Sequence, residues 1–172
     1  MKLTTDQKGG IAELAIAWEA AQLGIGVYKP LTDGERCDLI FALGSRLVRV
    51  QCKWATRRGA VVNVPCQSCR RTATGLRARS YTAEEIDAIA GYCHELKQCY
   101  LLPISLVAGR RSIYLRLEPA KNNQALGVNW AVQYELGAIA QLGERLRGTQ
   151  EVAGSSPASS TEKAAHNGRL FS

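Results

Sequence analysis

Between Leu39 and Ala83 the sequence contains no aspartate or glutamate. The same stretch carries Arg46, Arg49, Lys53, Arg57, Arg58, Arg70, Arg71, Arg77 and Arg79, nine positive charges beside a net charge of +7 for the whole chain. A field that concentrated suits a polyanionic partner; a solvated basic face is the plainer alternative. Long apolar runs are also missing. No stretch reaches the roughly 18–20 residues of a membrane span, and the polar start, Met1 to Asp6, has no signal-peptide core. A cytoplasmic protein with no membrane contact is expected. Its six cysteines then read as reduced thiols rather than a disulfide framework. The 172 residues suffice for one domain with a core of its own.

Apolar residues at Ile11, Leu14, Ala15, Trp18, Ala21 and Leu23 recur at helical spacing. They predict a helix over 7–23, capped by Asp6 and stopped by Gly24 and Gly26. A short strand at 25–30 and a turn at 32–35 follow. Strands at 37–43 and 46–55 form a hairpin about Gly44-Ser45, with a further strand at 60–64. Residues 65–81 read as a long basic loop. Thr82 and Glu85 have the spacing of a capping box, which predicts a helix from there to about Leu96. Strands at 99–103 and 112–117, with a turn at 108–110, and a short closing helix at 130–136 complete the order. That order indicates a mixed α/β domain on one sheet.

One group of residues has the equipment for phosphodiester chemistry. Asp38 opens one apolar run, and Gln51 and Lys53 share a face of the next because strand side chains alternate. A hard cation such as Mg²⁺ prefers oxygen ligands and keeps several waters. Asp38 offers a carboxylate, Gln51 an amide oxygen and Cys52 a backbone carbonyl. Lys53 can sit against a phosphate or orient the attacking water. The Cys52 side chain points to the opposite, buried face. Glu13, an isolated acid in an apolar helix, is the candidate second carboxylate. A surface acid and lysine on a hairpin, and a Glu favoured by the helix dipole, are the alternatives.

These residues stand in a wider text. Lys8-Gly9-Gly10-Ile11-Ala12-Glu13-Leu14-Ala15, Gly26-Val27-Tyr28-Lys29-Pro30, Cys37-Asp38-Leu39-Ile40-Phe41 and Arg49-Val50-Gln51-Cys52-Lys53 together resemble the PD-(D/E)XK nucleases. Within that superfamily they are similar to the branch associated with group I introns and homing endonucleases. The similarity continues through 81–90 and 99–103 and covers roughly residues 5 to 135. It implies a restriction-endonuclease-like core, a mixed central sheet flanked by helices. It also implies Mg²⁺- or Mn²⁺-dependent cleavage of double-stranded DNA. Glu13, Asp38, Gln51 and Cys52 would form the metal set, and Gln51 and Lys53 the catalytic pair. Arg57, Arg58, Arg70, Arg71, Arg77 and Arg79 would contact DNA. A homo-oligomer is implied, because cutting two strands takes two sites.

The chain departs from the pattern twice. No proline precedes Asp38, and position 51 is Gln rather than an acid. An uncharged third ligand weakens metal affinity, so a catalytically inactive DNA-binding module of the same fold is the alternative function. Cys66-x-x-Cys69, with Cys93, His94 and Cys99, is a weak zinc pattern. The domain is expected to end at 136. Residues 137–161 resemble the translation of a tRNA gene, with Gly154-Ser155-Ser156-Pro157 encodable by the T-arm consensus. That reading makes 137–172 a largely disordered tail.

Overall fold

The computed structural model describes residues 2–32, 34–73, 75–119 and 127–139. Helix α1, Thr5–Gln22, starts at Thr4 rather than at Asp6. The Thr4 hydroxyl accepts from Gln7 N at 3.2 Å and Gln7 Oε1 accepts from Thr4 N at 2.9 Å, a reciprocal cap that satisfies two end donors. The buried face of α1 is Ala12, Ile16 and Ala20 at four-residue spacing. Leu14 and Trp18, expected on that face, are 73% and 65% exposed. Small alanines let the helix lie close to the sheet, and the larger side chains turn outward.

Strands β1 Gly26–Tyr28, β2 Leu39–Leu43, β3 Arg46–Arg58, β7 Ala88–Cys93 and β8 Gln98–Pro103 form one layer. Within it β7 runs parallel to β3, and the remaining pairs are antiparallel. The long β3 also begins a second ladder: Thr56–Arg58 pair with β4, Val61–Pro65, which pairs with β9, Ser112–Arg116. One core lies under α1 and includes Phe41, Val50, Cys52, Ala88 and Ala90. The other lies on the opposite side and includes Ala55, Val62, Val64, Ile89 and Leu102.

Three sequence expectations change. Residues 88–93 are strand β7, not helix: every residue of it is buried, and its alternate residues enter the two cores. Thr82 and Glu85 do form the local bond of a capping box, but it closes only a turn. Asp87 then ends the turn, donating its N–H to Arg49 O at 2.9 Å while its carboxylate accepts from Arg49 N at 2.8 Å, which draws the chain into the β3 ladder. Residues 65–81 are not irregular; β5, Gln67–Thr72, and β6, Gly75–Ser80, form a separate two-stranded sheet. The closing helix at 130–136 is a 3-10 turn, Ala131–Tyr134, followed by one helical turn at 136–139. A one-turn helix α2, Ile104–Val107, is additional.

The six cysteines form no disulfide. Cys66 and Cys93 lie in the second core, Cys99 lies in the first, and Cys69 is exposed. No group of three or more His, Cys, Asp or Glu side chains gathers for a metal among the described residues, so the zinc pattern does not assemble. No helix among them is long and apolar enough to cross a membrane. Of the tail expected at 137–172, residues 140–172 lie outside the described residues.

Candidate active site

The site is built where β2 leaves β3. The two strands pair from Arg46 to Val50, and Asp38 N donates to Val50 O at 2.9 Å just before β2 begins. In a strand, N–H and C=O groups two residues apart point to the same edge. The edge that Val50 shares with Asp38 is therefore also the edge of Cys52, and among the described residues no strand follows there up to Ala55. The Asp38 carboxylate occupies the gap. Its Oδ2 accepts from Cys52 N at 2.8 Å and from the Gln51 side-chain amide. The Cys52 carbonyl faces the same opening.

Glu13 arrives from the other side. Helix α1 packs under the first core, whereas Gln51 and Lys53 alternate onto the second, so the group straddles the sheet margin. Glu13 Oε2 lies 3.0 Å from Lys29 Nζ, and Glu13, Lys29, Glu35, Cys37 and Asp38 line one depression. Burial pushes the Asp38 carboxyl above the ordinary carboxylate range. The Glu13 charge adds to this, against the Cys52 N–H bond and the Lys53 and Lys29 ammoniums. Burial also pushes the Cys52 thiol up, which leaves it a protonated apolar plug.

The donors that face the opening are two carboxylates, one amide and one carbonyl, all hard oxygen sources. A divalent cation there would compensate both acids, including the Glu13 charge that helps to raise Asp38, and this set fits Mg²⁺ or Mn²⁺. Lys53 supplies the cation of the site. Its Nζ donates to the Tyr81 hydroxyl at 2.8 Å. The structure thus brings Glu13, Asp38, Gln51, Cys52 and Lys53 into one neighbourhood.

Sequence reasoning missed Lys29, Tyr81 and Arg36. Lys29 had a signal in its place beside Pro30 at the end of β1. The other two had none, because their partners are distant in sequence.

The basic residues come from the end of β3 and from the β5–β6 hairpin. Arg57 and Arg58 end β3 and are exposed, and Arg57 Nε donates to Gly59 O at 2.9 Å. Arg77 and Arg79 are exposed on β6, with Arg70 opposite Arg77 and Arg71 opposite Leu76. Arg36, Ser68, Thr72, Arg77 and Arg79 line a cavity, and Gly34 borders both this cavity and the acidic depression. Arg79 is ion-paired with Glu85.

Comparison with known proteins agrees with this construction. The chain has the fold of a solved structure described as a bacterial homing endonuclease, I-Ssp6803I. The TM-score is 0.64 at 23% identity, over 90% of this chain and 100% of that one. No curated protein matches it in sequence. Residues 3–137 match the family described as PD-(D/E)XK endonuclease. With most of its length inside that match, the chain belongs to the PD-(D/E)XK endonuclease family and is a nuclease by membership.

Proposed function

We propose that the protein is a divalent-metal-dependent endonuclease that hydrolyses phosphodiester bonds in double-stranded DNA, of the intron-associated homing type. The observation that carries this reading is the fork at Asp38, where Glu13, Gln51, the Cys52 carbonyl and Lys53 surround one unpaired strand edge. Glu13, Asp38, the Gln51 amide oxygen and the Cys52 carbonyl would hold Mg²⁺ or Mn²⁺, which when bound supplies a Lewis acid and a more acidic water. Lys53 places a compact positive charge against the scissile phosphate, where negative charge grows as the bond breaks. The Gln51 side chain, which gives its amide nitrogen to Asp38, keeps its oxygen for a ligand. Arginines of the β5–β6 hairpin supply phosphate contacts. The homing type is carried over from the solved structure of similar fold. The described residues carry one such group, so cutting both strands calls for a homo-oligomer.

A plasmid-nicking assay tests this reading. Wild type should nick in Mg²⁺ and stop in chelator. Asp38→Ala and Lys53→Ala should each lose at least about 100-fold in rate. Equal cleavage by all three proteins would remove the site. No cleavage by any of them, with salt-sensitive DNA binding intact, would make the protein an inactive DNA-binding module.

A further inference from the structure

Lys53 has a four-carbon stem with freely rotating donors, yet its ammonium has a fixed seat. Its Nζ is 2.8 Å from the Tyr81 hydroxyl oxygen and 5.0 Å from the centre of the Tyr81 ring. Tyr81 itself is 4% exposed and packed in the second core, so the seat is rigid. A second cation braces the ring: the Arg36 guanidinium carbon lies 4.2 Å from its centre. Arg36 is held in turn by Ser68 Oγ at 3.2 Å, Ser80 O at 3.3 Å and the Glu85 carboxylate at 3.2 Å.

We propose that Tyr81 is a positioning residue for phosphodiester hydrolysis, fixing the Lys53 ammonium beside Asp38 and Gln51. The proposal rests on the nuclease reading above. A hydroxyl suits the task better than a carboxylate would. It accepts a hydrogen bond and carries no charge, so it holds the ammonium without neutralising it. Tyr81 also follows directly on Ser80, the last residue of β6, so the seat of the lysine and the base of the hairpin share one segment of chain. Placement matters because a displacement of about 1 Å in a reacting group costs about 100-fold in rate.

Tyr81→Phe keeps the ring and the packing and removes the hydroxyl. The cleavage rate at saturating DNA should fall about 10- to 100-fold, the span of one hydrogen bond to a charged group. DNA affinity and the thermal midpoint should stay at wild-type values. Tyr114→Phe, at an exposed position on β9, should change nothing. In protein labelled with ¹³C at the lysine ε carbon, the two Lys53 ε protons should be inequivalent in wild type and merge in Tyr81→Phe.

Averaged ε protons in wild type would overturn the proposal before any kinetics. Wild-type cleavage by Tyr81→Phe, alongside an inactive Lys53→Ala, would overturn it and leave the nuclease reading standing. A parallel loss of affinity or thermal midpoint would make Tyr81 a structural residue instead. Absence of cleavage by wild type would remove the nuclease reading, and this proposal with it.

Discussion

The fork at Asp38 and the β5–β6 hairpin both concentrate charge, but they hold it differently. At the fork, side chains are fixed by main chain. Asp38 is bonded to a backbone N–H of β3, whose Val50 and Cys52 are buried beneath α1. The hairpin pairs only with itself, and an isolated two-stranded ribbon is marginal alone. It is secured at its base, where Cys66 N donates to Arg111 O at 2.9 Å and Arg36 grips Ser68 and Ser80. Chemistry at a phosphorus needs atoms held to a fraction of an ångström, while holding a polyanion needs charge and reach. The rigid region should therefore respond to substitution by failing outright, and the hairpin by degrees.

The largest effect expected is on chemistry alone. Asp38→Ala or Lys53→Ala should abolish nicking while DNA affinity, measured by fluorescence anisotropy, changes only a few-fold. An equal loss of cleavage at saturating DNA from hairpin arginine variants would break the contrast.

Next comes the rigidity beneath the fork. Gly91 lies beside Lys53 in β7, and a Cβ there would meet Val64 Cγ1 at 2.9 Å. Gly91→Ala should destabilise the fold by about 1–3 kcal/mol in urea denaturation. An unchanged midpoint would show that the sheet under Lys53 yields.

Arg77→Ala should weaken binding for every DNA sequence and lower the salt slope by about one. Its turnover at saturating DNA should stay at the wild-type value. Arg79→Ala should weaken binding less, because Arg79 already faces Glu85.

The smallest effect concerns the turn into β7. Arg49 bonds hold the Asp87 carboxyl below the ordinary carboxylate range. A lowered folded-state value stabilises above the unfolded value of about 4 and is lost as the pH falls below it. Both side chains are over a third exposed, so solvent screening keeps the contribution below about 1 kcal/mol. Wild type and Asp87→Asn should differ in urea midpoint at pH 7 and converge as the pH falls through the lowered folded-state value. A gap that persists in acid would contradict the assignment.

What could be read from the sequence follows from how local each signal is. The β2–β3 hairpin was legible because its strands alternate and Gly44, at φ 64°, takes the turn. Asp38, Gln51 and Lys53 were legible because strand parity puts two of them on one face. Strand β7 was not legible. Buried on both sides, it has no alternation, and the Thr82–Glu85 pattern looks the same whether a helix or a turn follows. The β5–β6 hairpin escaped for the converse reason: its polar, basic residues give neither face an apolar signature. Tyr81 was out of reach as a site residue because its bond to Lys53 spans 28 positions.

The open margin of β3 has a second meaning. A bare strand edge is a template on which another chain can add a strand, and proteins guard such edges with charge. Here the guards are the reactive groups: Asp38 occupies the N–H of Cys52, and Lys53 stands one residue on. The residues that equip the site for hydrolysis thereby also keep the chain from sticking to its own kind. Alanine at position 38 removes the first guard and leaves the Cys52 N–H without its partner, and a preparation of that variant should aggregate sooner than the wild type.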